Sequence, residues 1–188
     1  MKQAKVLNEG EMKRLLAVID AGRHAPRNRL AVMLSYLAGM RVGEIAALKG
    51  GDVVDGDGKV RDQIRLKARY PQGKEARTVF VGSKLAKELT RFRVSLTSLR
   101  ADAPLLQTQK GTPFSANTLC QLLGALYKRA GITGGSSHSG RRSFITKLAH
   151  SGVSAKVIMT LAGHKHLSTT QRYIDVNDEM LRKAVELA

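Results

Sequence analysis

The chain has 188 residues, enough for one domain with a sizeable core, and its 32 Lys and Arg against 15 Asp and Glu give a formal net charge of +17. The basic residues are spread along the chain rather than gathered in a tail, so the folded surface itself is positive and nucleic acid is the expected partner, held mainly through its phosphates. One cysteine excludes an intrachain disulfide, the absence of Trp argues against base stacking as the main mode of recognition, and no apolar run approaches a membrane span or a signal core, so a cytoplasmic, nucleoid-associated protein is expected.

Asn8 followed by Glu11 forms a cap with an acid three residues on, and Met12, Leu15, Leu16 and Ile19 then share one apolar face, predicting a first helix that ends near Gly22. Pro26 suits the first turn of a second, strongly apolar helix through Leu30, Met33, Leu34 and Leu37 to Gly39. A short helix starts at Arg41, with Glu44 three residues later. Gly51 to Gly58 reads as turns. Residues 62–68 and 76–81 read as two strands of a hairpin joined across Tyr70-Pro71-Gln72-Gly73. A helix is predicted over 83–99, loop over 104–114, and a helix from the Ser115 cap to near Gly131 that carries Cys120 as a core residue. Helices are predicted at about 139–151, 154–162 and 168–174, and a last amphipathic one at about 178–187. There is no internal repeat and no dividing linker. The expected architecture is mainly α with a small antiparallel β-sheet, an α+β domain.

Chemistry concentrates between His138 and Tyr173. His138 and Arg141 are three apart, close enough to share a helix face; Gly163-His164 follows an apolar helix, and Tyr173 comes nine residues later. Histidines and arginines hold phosphate, and a tyrosine hydroxyl is a nucleophile once activated. Arg41 joins the candidate phosphate binders because its planar fork of donors matches phosphate oxygens. Two lysines bracket the hairpin turn, Lys67 and Lys74, either able to act as a point charge on DNA or as a general acid reaching from the hairpin.

Other chemistries drop out. The glycines from Gly135 to Gly140 have phosphate-loop spacing but lack the Lys-Ser/Thr ending and a preceding buried strand. No Cys/His set has zinc spacing, no dense carboxylate group offers to hold magnesium, and no GxSxG elbow occurs. Neither a metal nor another cofactor is expected.

The ordered set Arg41, Lys67, His138-x-x-Arg141, Gly163-His164 and Tyr173 resembles the catalytic domain of the tyrosine recombinases, the phage integrase family. AGMRVGEIAAL is similar to that family's first arginine motif, and LAGHKHLSTTQRYI to its nucleophile segment. The resemblance runs from about residue 8 to the end. It implies the tyrosine recombinase catalytic-domain fold and a site-specific recombinase or integrase that needs neither ATP nor metal. Arg41, Arg141, His138 and His164 are then expected to cradle the scissile phosphate, with Tyr173 attacking to leave a 3′-phosphotyrosyl bond and a free 5′-hydroxyl. By the same resemblance His138 takes the tyrosine proton and Lys67, preferred over Lys74, protonates the leaving oxygen. Glu44 is expected to orient the first arginine or the hairpin lysine, and Lys74, Arg77, Arg142 and Lys165 to contact DNA.

The expected partners are double-stranded DNA and three further copies of the chain, a tetramer on DNA, with an accessory DNA-bending protein in some reactions. Two departures from the family pattern stand in HSGRRSF. Gly140 replaces an apolar residue and is expected to loosen helix packing; Arg142 replaces a histidine and adds positive charge beside the phosphate. The catalytic pattern begins within the first dozen residues. The expectation is therefore one catalytic domain over 1–188 with no N-terminal core-binding domain, either short by nature, as the fimbrial phase-switch invertases are, or trimmed. The last helix, with Met180, Leu181, Val185 and Leu187, docks on a neighbouring subunit or on its own core. Two alternatives to the recombinase stay open: a non-cleaving DNA-binding regulator on the same scaffold, and a relaxing enzyme like the type IB topoisomerases.

Overall fold

Helix α1, Glu9–Asp20, begins where the sequence places its cap: the Asn8 side chain accepts the Glu11 N–H at 2.8 Å, and the Glu11 carboxylate accepts the Asn8 N–H at 3.2 Å. In the computed structural model, residues 4–66, 76–96, 98–174, 181, 182, 185 and 186 are described. Helix α2, Ala25–Ala38, runs through the middle of the molecule. Its apolar residues are not confined to one stripe: Leu30, Ala31, Val32, Met33 and Leu34 are all buried, as expected of a helix covered on most sides. It packs against α1, against α3 (Val42–Ala46), and against α5 (Ser83–Val94), α6 (Ala116–Arg129) and α7 (Ser139–His150). Gly39 ends α2 at φ 61°, a left-handed cap that places Met40 in the core and Arg41 at the N-cap of α3.

Strands β1, Gln63–Leu66, and β2, Arg77–Phe80, pair antiparallel with Ile64 opposite Val79 and Leu66 opposite Arg77. Ile64 and Val79 point into the main core, and the alternation leaves Phe80 exposed. The loop that carries Lys67 and Lys74 lies outside the described residues, as do Met180 and Leu187; Leu181 and Val185 are exposed.

Two expected elements differ. The segment read as turns opens with a one-turn helix, α4 (Gly50–Val53), whose start is held by the Asp52 carboxylate accepting the Lys49 N–H at 2.8 Å. Helix α5 stops at Val94, five residues early, because the Ser95 hydroxyl donates to the carbonyl of Phe92 at 2.6 Å. Leu96 and Leu99 continue the apolar pattern as loop residues packed on the core.

Beyond α7 lie α8 (Ala155–Ala162) and α9 (Leu167–Gln171). A second, smaller core joins Ile145 and Ala149 of α7 to Ile158 and Ala162 of α8, with Tyr173 and Ile174 packed against it. Gly140 does the opposite of loosening this region. It lets α7 close on α2, since a Cβ there would lie 2.9 Å from the Ser35 Oγ and 3.2 Å from the Tyr36 nitrogen.

Candidate active site

The C-terminus of α8 is the hub of the site. A helix end leaves carbonyls without intrahelical partners and carries partial negative charge, so it attracts cations. Here three successive carbonyls each accept from a different arginine. Arg77 Nη1 donates to Leu161 at 2.7 Å, Arg141 Nη2 to Ala162 at 2.7 Å, and Arg41 Nη2 to Gly163 at 2.6 Å. These side chains come from three places in the chain: the start of β2, the first turn of α7 and the cap of α3.

Gly163 makes the convergence possible. It ends α8 at φ 63°, and a Cβ there would fall 2.4 Å from Arg77 Cδ and 3.5 Å from Arg41 Nη1. Arg141 is 7% exposed, and its other terminal nitrogen donates to the carbonyl of Gly39, so the left-handed cap of α2 and the last residue of α8 both serve it.

Glu44 ties two of the arginines together. One carboxylate oxygen accepts from Arg41 Nη1 at 2.9 Å and Arg77 Nε at 3.1 Å; the other accepts from the Arg41 backbone N–H and from Arg77 Nη2, each at 2.7 Å. Burial acts to raise the Glu44 carboxyl, but the hydrogen bond and charge of Arg77, then those of Arg41, outweigh it and hold the group below its ordinary value. Among the described residues, two guanidinium groups thus share this one carboxylate, and the third, Arg141, rests on backbone carbonyls, which leaves the site positive. Burial first, then the charges of Arg41 and Arg77, push Arg141 down to about 9, so it keeps its proton at neutral pH.

His164 follows Gly163 directly. Its Nδ1 lies 2.8 Å from the hydroxyl of Thr170, a residue with no exposed surface. Burial and the charges of Arg141, Arg41 and Arg77 push the imidazole down to about 4, so the ring is neutral at pH 7. If the Thr170 hydroxyl donates to Nδ1, the neutral ring carries its proton on Nε2 and offers it as a donor. The Tyr173 ring stacks on His164 with centroids 5.9 Å apart and planes 19° apart.

Two clefts meet at Thr169. One, of about 290 Å³, is lined by His138, Arg141, Arg142, Arg172 and Tyr173. The other, of about 730 Å³, is lined by Arg41, Glu44, Arg77, His164 and Lys165. A further concavity of about 730 Å³ over α4 and β1 mixes Asp52, Asp55 and Asp62 with Lys59, Arg61 and Arg65, and holds none of these residues.

Of the residues expected at the site, Arg41, Glu44, His138, Arg141, His164 and Tyr173 are brought together. His138 is exposed at the cap of α7, its side chain on the same cleft as Arg141 and Tyr173. Lys165 is exposed on the rim of the wider cleft, and Arg142 is half-buried beside Tyr173. Lys67 and Lys74 fall outside the described residues. Arg77, expected to contact DNA, is instead turned inward: its side chain is 10% exposed and its donors serve Glu44 and Leu161. Thr170 was not among the expected site residues; the sequence signal is only a threonine three residues before the tyrosine, on the helix that leads to it.

An arginine-rich, carbonyl-anchored cleft with a tyrosine at its edge is built to hold an anion against a phenol. The chain belongs to the phage integrase family, whose model matches residues 5–180. It is 36% identical to the tyrosine recombinase XerA of Thermococcus kodakarensis, over 98% of this chain and 62% of that protein. The chain therefore spans about three-fifths of the length of that curated relative. Among solved structures, a XerA recombinase superposes with a TM-score of 0.75 at 27% identity, covering all of this chain and 66% of that one. A XerH site-specific recombinase, bound to a palindromic difH substrate after cleavage, superposes with a TM-score of 0.69 at 25% identity, over 98% of this chain and 53% of that one. Among the described residues no helix is long and apolar enough to cross a membrane.

Proposed function

We propose that this chain is the catalytic domain of a site-specific recombinase that cuts and rejoins DNA strands through Tyr173. The observation that carries the reading is the convergence of Arg41 and Arg141 on adjacent carbonyls of one helix end, beside a neutral His164 stacked on Tyr173. Each guanidinium makes anchoring bonds to the protein and keeps further N–H donors for a phosphate. Groups fixed in this way stabilise charge as it develops on the non-bridging oxygens without having to reorganise.

The Tyr173 oxygen forms the new bond to phosphorus as the bond to the 5′-oxygen breaks. His138 takes the phenol proton, and Lys67 delivers one to the departing 5′-hydroxyl. The 3′-phosphotyrosyl link conserves the phosphodiester, so a 5′-hydroxyl from a second duplex displaces the tyrosine and joins the strands. Arg41, Arg141 and His164 Nε2 donate to the phosphate; Glu44 and Arg77 hold Arg41 in place. Lys74, Arg142 and Lys165 contribute positive charge along the DNA. The working assembly is four copies on two duplexes, helped in some reactions by a DNA-bending protein. A reaction on chromosomal DNA places the enzyme in the cytoplasm, at the nucleoid. The relatives' names, and the difH substrate held by the XerH structure, support DNA as substrate.

A pool of randomised duplexes nicked near the cleavage point tests the reading, because loss of the short fragment traps the covalent intermediate. Wild type is expected to give an adduct that survives denaturation, and Tyr173→Phe none. An adduct undiminished in Tyr173→Phe, or none from wild type across the pool, overturns the proposal. Sequencing the trapped DNA identifies the preferred site.

A further inference from the structure

We infer that Arg142 is a positioning residue for the nucleophile, keeping the Tyr173 ring docked at the phosphate cleft. This rests on the phosphotyrosyl reading above and goes beyond it. Arg142 stands one residue after Arg141 on α7, and both line the smaller cleft with His138 and Tyr173. Its guanidinium carbon lies 5.7 Å from the centroid of the Tyr173 ring, within the range of a cation–π contact. Its Nε is buried and finds no hydrogen-bond partner among the described residues.

The same ring rests on the small core between α7 and α8, and it follows α9, a helix of five residues. So short a helix is held by its packing on α8, and the contacts made by the tyrosine that follows it help to decide where that ring sits. Arg142 makes one of them from the helix that presents Arg141. Phosphate binder and nucleophile are therefore registered to a single rigid element, which is the geometry that in-line attack requires.

Fluorine NMR of the full chain labelled with 3-fluorotyrosine tests this without DNA. The four tyrosines are Tyr36, Tyr70, Tyr127 and Tyr173, and Tyr173→Phe assigns the signal. Arg142→Gln is expected to shift or broaden the Tyr173 resonance and leave Tyr36 and Tyr127 unmoved, with Arg142→Lys returning it toward wild type. With saturating nicked duplex, Arg142→Gln is expected to form the adduct about tenfold more slowly, the scale of one lost cation–π contact. A simple phosphate contact predicts weaker binding, an unchanged rate at saturation and an unmoved Tyr173 signal; that pattern overturns the inference. If wild type forms no adduct at all, the recombinase reading fails while the NMR arm still decides whether Arg142 holds the ring.

Discussion

His164 shows how much a single side chain's chemistry depends on what surrounds it. Partial burial and then the charges of three nearby guanidinium groups keep its ring neutral, so between pH 6.5 and about 4 an unfolded chain would hold a proton there that the folded chain refuses. Its contribution to stability is present above the ordinary histidine value and is lost as the pH falls toward 4. Thermal melts at pH 7 and pH 5 are expected to separate further for wild type than for His164→Gln, and equal separations would remove His164 from the account. Thr170 acts one step back, through the contact of its hydroxyl with the His164 Nδ1. Thr170→Val keeps the volume and deletes the hydroxyl. It is expected to cost about 1–2 kcal/mol of stability and to slow adduct formation by more than that loss explains, measured at a temperature where both proteins are folded. Thr170→Ser, which keeps the hydroxyl, should recover the rate.

At the scale of elements, two glycines set how closely helices and side chains approach. Gly140→Ala is expected to lower stability by about 1–3 kcal/mol, because the added methyl meets Ser35 on α2 in a packed contact. Elsewhere in an exposed helix the same change would stabilise, by about 1 kcal/mol, so a melt reports directly on how tightly α7 sits on α2. Gly163→Ala should do more harm to the site: beside the left-handed backbone cost of about 1–2 kcal/mol, the methyl enters the path of Arg77 and disturbs the clasp on Glu44 and Arg41. These elements were unevenly legible in the sequence. Caps written in side chains, such as Asn8 with Glu11 or Ser115 before α6, could be read directly because the partners lie within four residues. The arginines and the tyrosine could be read from their order and spacing. The hub they share could not, because it is made of backbone carbonyls, which carry no residue signature. For the same reason nothing at Arg77 announced that it turns inward, and nothing in SLTSL announced that a serine would end α5 while its leucines kept packing.

On the scale of the whole molecule, the +17 charge and the cleft make separate demands on the proposed DNA substrate. Affinity is a sum over many phosphates, each contributing about −0.9 to the slope of log K against log salt. In the proposed reaction Arg41 and Arg141 address one phosphate among those, and much of their hydrogen bonding is already committed to Glu44, Gly39 and the end of α8. Losing either therefore changes the slope by about one phosphate contact at most. Charge building up on the scissile phosphate during attack has no such reserve: deleting one fixed donor of this kind costs about 10²–10³-fold in rate. Arg41→Ala and Arg141→Ala should accordingly bind duplex within a few-fold of wild type, retain a steep salt dependence, and form the adduct more slowly by about 10²-fold or more. Arg141 needs a second variant, because removing a buried guanidinium strips the carbonyls of Gly39 and Ala162 of their donor. Arg141→Lys keeps a charge there without the planar fork that spans both carbonyls. If Arg141→Lys melts like wild type, binds like wild type and fails to cleave, the fork itself is what the reaction uses; parallel loss of binding and cleavage in every one of these variants would instead make the cleft a DNA-holding surface and move the chemistry elsewhere.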